Sequence, residues 1–204
     1  MGADERDDFE LLTQWRAGDR AAGEQLCTRH FAEIYRFFVH KIPSEADDLT
    51  QQTFLSCVKA VDQFRGISSF RTYLFAIARN VLYAYLRRVP KHEHVDLDVS
   101  SLADIVSSPS QQLGRQQELA RLRAALHQLP VSQHVLLEFH FWHDLDMAAL
   151  AVLFETTPGA IRVRLLRARR ALRRQLEASG GGLPVGDRLS TSLVDPELDS
   201  DSDA

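Results

Sequence analysis

The stretch from Thr157 to Leu176, TPGAIRVRLLRARRALRRQL, constrains the fold more than any other part of the chain. Its apolar residues recur three and four positions apart, which places them on one face of an α-helix. They are Ile161, Leu165, Ala168, Leu172 and Leu176. Thr157 can cap this helix with its hydroxyl, and Pro158 suits the first helical position because its missing N–H would be unpaired there anyway. The pattern predicts a long amphipathic helix.

The positions between these apolar residues are rich in arginine, namely Arg162, Arg164, Arg167, Arg169, Arg170, Arg173 and Arg174. Each arginine carries a rigid, permanently charged group that fits phosphate oxygens and the acceptor edge of guanine. Like charges this close repel one another unless a polyanion neutralises them, and only Glu177 interrupts the run. A solvated basic face on a core helix is the alternative interpretation. We favour contact with nucleic acid.

The net charge of −4 is distributed unevenly along the chain. Residues 1–10 carry a net −4 and residues 179–204 a net −5, so residues 11–178 carry +5. A basic body between acidic ends suits a nucleic-acid binder. The 204 residues fit one domain or two small ones, and the hydrophobic content of 45% is enough for a buried core.

The composition also indicates a cytoplasmic protein. No apolar run approaches the ~20 residues that a membrane-spanning helix requires. The acidic N-terminus does not resemble a signal peptide, so we expect no membrane insertion. Cys27 and Cys57 are isolated thiols in helical surroundings, which fits a reducing compartment. We interpret them as small buried apolar residues rather than as a redox pair.

A first helical block extends from Asp8 to about Arg88. It begins with a short amphipathic helix (8–17) and continues with a helix over 21–39, whose apolar face contains Leu26, His30, Phe31, Ile34, Phe37 and Phe38. Pro43-Ser44 breaks the pattern. The next run (45–64) places Leu49, Phe54, Cys57, Val58 and Val61 near one side, and Asp47, Asp48, Gln51 and Gln52 on the other.

The block closes with a helix over 70–88 that Ser68 or Ser69 can cap. Its predicted core side contains Tyr73, Leu74, Ile77, Val81 and Leu82. Its other side offers Arg71, Arg79, Asn80, Tyr83, Arg87 and Arg88. Basic groups interleaved with aromatic rings and an amide suit single-stranded or melted nucleic acid. Core packing is the alternative, because aromatic residues at helical spacing are often buried.

Residues 89–112 lose the periodicity and read as a flexible linker. His92 and His94 lie in it without a third ligand nearby, so we expect no metal there. A second helical block (113–178) contains Leu119, Leu122, Leu126 and Leu129, after which Ser132 can cap the next helix. His140, His143 and Asp144 follow closely enough to suggest a metal site. Because no cysteines accompany them, we interpret the histidines as satisfied or exposed side chains at a helix end.

The second block ends with a short helix (146–154), a turn at Glu155-Thr156 and the arginine helix. A short helix, a tight turn and a long basic helix predict a helix-turn-helix, which lays its second helix in the DNA major groove. Residues 1–7 and 179–204 read as disordered acidic segments. The tail is either a solubilising segment or a DNA mimic that lies on the arginine helix. The predicted fold is all-α, with two small helical domains joined by a flexible linker and a helix-turn-helix in the second.

Three segments in this order resemble the extracytoplasmic-function (ECF) sigma factors of bacterial RNA polymerase. DDLTQQTFL (47–55) resembles the family's acidic D-L-x-Q-x-T-F-L segment. FRGISSFRTYLFAIARNVLYAYLRR (64–88) resembles its F-x-x-x-S-x-F-R-x-W-L-x-x-I-A-x-N-…-L-R-R segment. Residues 129–172 resemble the family's last domain, closely at P-G-x-[IV]-x-x-R-L-x-R-A-R. The resemblance covers roughly residues 8–178.

The resemblance implies partners and contact residues. It implies that core RNA polymerase binds through its clamp coiled coil and flap, with the clamp meeting Asp47, Asp48 and Gln51. Promoter DNA would be bound at the minus-ten element by Phe64, Ser68, Ser69, Arg71, Arg79, Asn80 and Arg87. The minus-thirty-five element would be bound by Arg162, Val163, Arg164, Leu166, Arg167 and Arg170. The positions that face bases in the family are matched by Arg162, Val163, Leu166 and Arg167. The positions that contact phosphates or pack in the protein are matched by Arg164, Arg169, Arg170, Arg173 and Arg174.

The family further implies that residues 89–112 thread the RNA exit channel, and that an anti-sigma protein wedged between the two domains holds the chain inactive. The sequence departs from the family at several positions. Tyr73 replaces a tryptophan, Ala149 an acidic residue and Ala160 a hydroxyl residue. Glu155 aligns with a turn glycine, which would cost about 1 kcal/mol if that site requires a positive φ.

We expect no covalent chemistry and no cofactor, because the sequence shows no nucleophile–base pairing, no phosphate-binding glycine loop and no metal-ligand constellation. The leading alternative is a stand-alone helix-turn-helix transcriptional regulator that does not bind polymerase. The acidic surface of Asp47, Asp48 and Gln51 discriminates the two, because such a regulator has no use for it. A third hypothesis is a polymerase-binding inhibitor or adaptor that lacks promoter recognition.

Overall fold

The structure is a computed structural model that describes residues 7–89, 96–98, 100–105 and 116–179. Its helices are α1 (Asp8–Arg16), α2 (Arg20–Val39), α3 (Ala46–Ala60), α4 (Phe70–Arg88), α5 (Leu102–Ile105), α6 (Gln116–His127), α7 (Val131–Phe141), α8 (Met147–Leu153) and α9 (Pro158–Ala178). Two 3-10 turns, Pro43–Glu45 and Val61–Gln63, flank α3. Within the described ranges the only extended pairing is an isolated bridge between Ser101 and Pro130. The all-α prediction is confirmed.

Two compact units divide the chain. Among the described residues, the first contains 7–89 and the short segment Val152–Glu155, and the second contains the others. The acidic ends predicted to be disordered lie outside the described residues, apart from Asp7 and Ser179. Most of the predicted linker, with His92 and His94, also lies outside them. None of the helices that the structure describes is long and apolar enough to cross a membrane.

Phenylalanine side chains from α2 and α4 form the centre of the first unit. Phe37, Phe38 and Phe75 are fully buried. The ring of Phe37 lies edge-on to both others, with centroids 5.1 Å from Phe38 and 6.2 Å from Phe75. This arrangement favours the attraction between a ring edge and a ring face.

The predicted core face of α4 is too narrow. Leu74, Val81 and Leu82 are buried as expected, but Tyr73 and Ile77 are only partly covered. Buried residues that the prediction missed are Phe70, Thr72, Phe75, Ala78 and Leu86, together with Arg79, which was expected on the opposite side. The reason is that α1, α2 and α3 all pack against α4, so a wide arc of its surface is covered.

Helix starts follow the predicted caps with one exception. Ser69, rather than Ser68, caps α4 by accepting from the Thr72 N–H at 3.1 Å, and Thr157 caps α9 by accepting from the Ala160 N–H at 3.2 Å. The predicted cap at Ser132 is wrong, since α7 begins at Val131 without a side-chain cap.

Backbone carbonyls from the predicted linker replace the missing cap of α7. The Val131 and Ser132 amides donate to the carbonyls of Ser100 and Leu97, each at 3.0 Å. Free amides at a helix N-terminus need acceptors, which this segment supplies. Leu97 is also buried, so this part of the predicted linker is packed onto the second unit.

The core of the second unit lies between α6, α7 and α9. The predicted apolar face of α9 is confirmed, because each of its members is buried: Ile161, Leu165, Ala168, Leu172 and Leu176. On α7 the buried residues include Val135, Leu136 and Phe139. The arginine helix is therefore fixed by one face and presents the opposite face to solvent.

The turn between α8 and α9 has the backbone conformation that the family's glycine would favour. Glu155 adopts a φ of 53°, in the left-handed region that side chains other than glycine rarely occupy. The Thr156 N–H donates to the Ala151 carbonyl at 2.9 Å, which closes the turn. The condition stated for Glu155 is therefore met, because this position adopts a positive φ.

Candidate functional site

An open apolar depression lies between α2 and α3 in the first unit. Its apolar lining includes Phe31, Phe54, Leu55 and Val58, and its polar lining includes Asp47, Asp48 and Gln51. We call this surface the acid-rimmed groove. Phe31, Leu55 and Val58 remain 49%, 53% and 51% exposed. The rings of Phe31 and Phe54 stack with centroids 6.0 Å apart.

The exposure of this groove corrects the sequence interpretation of α2 and α3. Phe31 and Val58 were expected within buried apolar faces, and Leu55 was not singled out. In the structure the buried side of α3 consists of Ala46, Leu49, Thr50, Thr53 and Cys57. The sequence did contain a signal for this exposed surface. Leu55 and Val58 fall outside the buried side of α3, so they add apolar surface that the core does not cover.

Asp47 and Asp48 stand in the first turn of α3. Both carboxylates and the Gln51 amide are exposed. Acidic side chains are favoured at a helix N-terminus by the helix dipole, so they stabilise α3 as well as giving the groove a negative rim. The structure thus brings the three predicted residues together.

The loop from Phe64 to Ser69 has two fixed ends and an exposed middle. Phe64 is buried, with its ring centroid 4.7 Å from that of Tyr73, and Ser69 caps α4. Between them Gly66 adopts a φ of 69°, which glycine tolerates without strain. Ile67 is 74% exposed and was not singled out from the sequence. Of the predicted minus-ten residues, Ser68 follows Ile67 in the loop and is partly covered, whereas Ser69 is exposed.

The predicted DNA-facing residues of α4 are not equivalent. Arg71 is paired with Glu33 of α2, and its guanidinium lies 5.2 Å from the centroid of the Phe75 ring. Within the first unit, Arg79 donates to the Asn80 side-chain oxygen from Nε at 3.2 Å and from Nη2 at 2.9 Å. Asn80 and Arg87 are exposed. Arg71 and Arg79 are therefore engaged within the protein, and a contact to DNA would have to share or replace these bonds.

The exposed side of α9 carries the predicted duplex-binding residues. Those exposed are Arg162, Val163, Arg164, Arg167 and Arg170, whereas Leu166 is partly covered. Val163 is 48% exposed, and an exposed aliphatic group on such a helix suits a thymine methyl. Arg169 is buried, which makes it a packing residue.

The histidines near the end of α7 have contacts within the second unit. His140 Nδ1 lies 3.1 Å from the Leu145 carbonyl, and His143 Nε2 lies 3.6 Å from Glu138 Oε1. In the part of the chain that the structure describes, no group of three His, Cys, Asp or Glu side chains is placed to hold a metal ion.

Two family models match the chain in separate segments. Sigma-70 region 2 matches residues 28–90, and Sigma-70, region 4 matches residues 119–172. The first segment contains the acid-rimmed groove, the exposed loop and α4. The second contains the helix-turn-helix.

Relatives match over nearly their whole length. The ECF RNA polymerase sigma factor SigM of Mycobacterium tuberculosis is 30% identical over 187 residues, covering 90% of this chain and 92% of that protein. The RNA polymerase sigma-H factor of Pseudomonas aeruginosa is 29% identical over 183 residues, covering 83% and 94%. The ECF RNA polymerase sigma-E factor of Escherichia coli is 25% identical over 175 residues, covering 81% and 92%.

Solved structures share the fold. The sigma factor RpoE from Bartonella quintana, solved with the anti-sigma factor NepR, has a TM-score of 0.59 at 22% identity, covering 76% of this chain and 96% of that one. CnrH, solved with the cytosolic domain of CnrY, has a TM-score of 0.59 at 24% identity, covering 84% and 97%. A stand-alone regulator is not favoured, because both regions match in order and the similarity covers nearly all of SigM. The chain belongs to the ECF sigma factors of bacterial RNA polymerase.

Proposed function

We propose that this sigma factor binds core RNA polymerase through the acid-rimmed groove. The observation that carries the proposal is the combination of exposed Phe31, Leu55 and Val58 with a border of carboxylates. Protein interfaces combine an apolar centre with a polar rim, and the negative rim selects a basic partner surface. Asp47, Asp48 and Gln51 would meet the clamp coiled coil of the largest subunit.

The minus-ten element of the promoter is proposed to be bound by the loop and the exposed side of α4. The exposed middle of the loop, next to Ser68, is open to an unpaired base, and Asn80 and Arg87 can contact the melted strand. Phe64 and Ser69 support the loop from its ends. Arg79 is buried and Arg71 is partly covered, so both would supply positive charge near this surface from beneath it.

The minus-thirty-five element is proposed to be bound as duplex by α9. Arg162, Val163, Leu166 and Arg167 would face base edges in the major groove. Arg164 and Arg170 would contact phosphates, which fix the register without reading sequence. The exposed arginines opposite a fully buried apolar stripe support this assignment.

The proposal assigns residues 8–88 to the polymerase and the minus-ten element, and residues 113–178 to the minus-thirty-five element and the polymerase flap, with 89–112 joining them. The protein would act by binding alone. An anti-sigma protein is proposed as its inhibitory partner. The exposed apolar groove, which such a protein could cover, supports this part of the proposal.

A pull-down with core RNA polymerase tests the groove. Asp48→Arg places a positive charge on the rim, so we expect it to weaken capture of core polymerase about tenfold or more, because like charges now meet. Asp62→Arg is the matched control, since Asp62 is exposed in the 3-10 turn after α3 and does not line the groove. Equal capture by the wild type and both variants would contradict the assignment.

A second pair of variants tests the apolar part of the groove. Leu55→Gln should also weaken capture, because it removes exposed apolar surface from the interface without disturbing the core. Phe9→Gln is its control, because Phe9 is 76% exposed on α1 and does not line the groove. Duplex binding by α9 should be unchanged in all four variants, which separates polymerase binding from DNA binding.

A further inference from the structure

The last residue of α1, Arg16, is bonded to the chain segment that leads into the minus-ten loop. Its Nη2 donates to the Val61 carbonyl at 2.6 Å and its Nε donates to the same oxygen at 3.2 Å. Nη2 also donates to the Phe64 carbonyl. The guanidinium lies 5.7 Å from the centroid of the Phe64 ring. One arginine therefore contacts the backbone at both ends of the Val61–Phe64 turn.

The guanidinium suits these acceptors. The Val61 carbonyl accepts from the Phe64 N–H at 3.2 Å, and its second lone pair can accept from the guanidinium. Carbonyls at the end of a helical segment carry partial negative charge, so a cation there is favourable. Bonds from a charged donor are stronger than neutral ones. A planar fork can donate to two carbonyls at once, whereas the ammonium of a lysine cannot reproduce that geometry.

The position of Arg16 is itself fixed by the packing of α1. The Trp15 ring lies against Gly23 of α2, where an added Cβ would approach the ring to 2.8 Å. Trp15 also meets Phe70 edge-on, with centroids 6.5 Å apart. At the other end of α1, Asp8 pairs with His30 at 2.7 Å. The helix is held at both ends, so Arg16 can act as a fixed support.

Only four residues, 65–68, separate the Phe64 carbonyl held by Arg16 from the Ser69 cap of α4. A short segment between two fixed ends has a restricted set of conformations. The exposed middle of the loop is therefore presented from a defined position. Arg16 does not belong to that exposed part, so it would act through the loop.

We propose that Arg16 is a positioning residue for minus-ten recognition. By holding the Val61 and Phe64 carbonyls, it fixes the loop in the conformation that distinguishes the bases of the melted strand. This inference rests on the proposed function of the loop. It predicts a loss of base discrimination without a loss of polymerase binding.

The test uses the full chain assembled with core RNA polymerase and a pool of fork-junction DNA whose non-template strand is randomised over the minus-ten positions. Arg16→Met keeps the length of the side chain but removes its donors, and we expect the enrichment of the preferred bases to fall about tenfold. Arg16→Lys should recover part of it. Arg36→Met is the control, because Arg36 bonds to the Ala32 carbonyl of its own helix and should leave enrichment unchanged.

Hydrogen–deuterium exchange supplies a readout that does not depend on DNA. Arg16→Met should raise amide exchange in residues 64–69 while the buried turns of α2 and α4 keep wild-type protection. Unchanged loop exchange together with unchanged base enrichment would overturn the inference. Loss of core polymerase capture by Arg16→Met would also overturn it, because Arg16 would then support the whole unit.

The wild type separates this inference from the function on which it rests. If wild-type holoenzyme enriches no minus-ten sequence, the proposed function of the loop fails and the inference fails with it. If the wild type enriches a sequence and Arg16→Met enriches it equally well, only the role of Arg16 is overturned.

Discussion

Glu33 of α2 holds Arg71 of α4 in a two-pronged ion pair, with Arg71 Nε 3.1 Å from Oε1 and 3.0 Å from Oε2 of Glu33. Arg71 Nη2 also donates to Oε1. The His30 ring lies next to this pair, with Nδ1 4.0 Å from Glu33 Oε2 and Nε2 2.7 Å from Asp8 Oδ2. An arginine assigned to the melted strand is thus already bound to a carboxylate.

Neutralising Glu33 should weaken this pair and make Arg71 available to phosphate. We expect Glu33→Gln to lower the free energy of unfolding by about 1 kcal/mol or less, because the pair is partly exposed. The affinity of the holoenzyme for fork-junction DNA should rise, and the slope of its logarithm against the logarithm of salt concentration should steepen by up to about 1. Thermal unfolding and a salt titration of DNA binding measure both effects.

Glu24→Gln is the matched control for this prediction, since it removes one negative charge from an exposed position of the same helix. It should change DNA affinity less than Glu33→Gln does. If the two variants gain affinity equally, the gain comes from net charge and not from Arg71.

Arg162 and Arg174 are both exposed on α9, but the proposed docking gives them different roles. Arg162→Ala should cost about 1–3 kcal/mol on a preferred duplex chosen from a random library, and little on a scrambled one. Arg174→Ala should weaken binding to both duplexes alike and reduce the salt slope by about 1. Fluorescence anisotropy at several salt concentrations distinguishes the two patterns.

Arg121→Ala provides the control for these duplex measurements, because Arg121 is an exposed arginine on α6 rather than α9. Its removal should leave the preference for the selected duplex intact. Identical losses for Arg162→Ala on both duplexes would contradict base reading at that position.

Glycine at position 155 should stabilise the turn between α8 and α9. Glu155 has a φ of 53°, so Glu155→Gly relieves a strained backbone and should raise the free energy of unfolding by about 1 kcal/mol, even after the greater freedom of glycine in the unfolded chain. Asp144 has a φ of 49°, but aspartate tolerates this region through local hydrogen bonds. Asp144→Gly should therefore gain less. A lower unfolding temperature for Glu155→Gly would refute the strain argument.

Cys57 should make the protein less stable in alkaline solution. Burial, with a smaller contribution from Cys27, raises the pKa of the Cys57 thiol from 9.0 to about 12. Below the lower value the thiol is protonated in both states and its contribution to stability is fully present. Between the two values only the unfolded chain loses this proton, so the free energy of unfolding falls as the pH rises.

The measurement is urea denaturation at about pH 8 and about pH 10, on either side of the ordinary thiol pKa. Cys57→Ala should show a smaller loss of stability between these conditions than the wild type. Part of the loss should remain, because burial also raises the pKa of Tyr73 and Tyr85. An unchanged difference in Cys57→Ala would show that this thiol is not responsible.

The helices could be predicted from the sequence because their signals are local. The buried residues of α9 are spaced three and four positions apart. Ser69 and Thr157 cap their helices by accepting from amides three positions away. The bounds of α4 follow from the same kind of signal. The three segments that resemble the family are also local, so region 2, region 4 and the helix-turn-helix were recognisable without coordinates.

Which side chains remain available was decided by tertiary structure. Glu33 and Arg71 are 38 positions apart, and Arg16 is 45 positions from Val61, so no periodicity within one helix indicates either contact. The exposure of Phe31 and Leu55 likewise depends on the open groove between α2 and α3. The sequence by itself determined the helices, the caps at Ser69 and Thr157 and the family, because hydrogen bonding and helical periodicity act over a few residues. The tertiary structure alone decided which charges are paired and which apolar groups stay uncovered, because these depend on segments far apart in the chain.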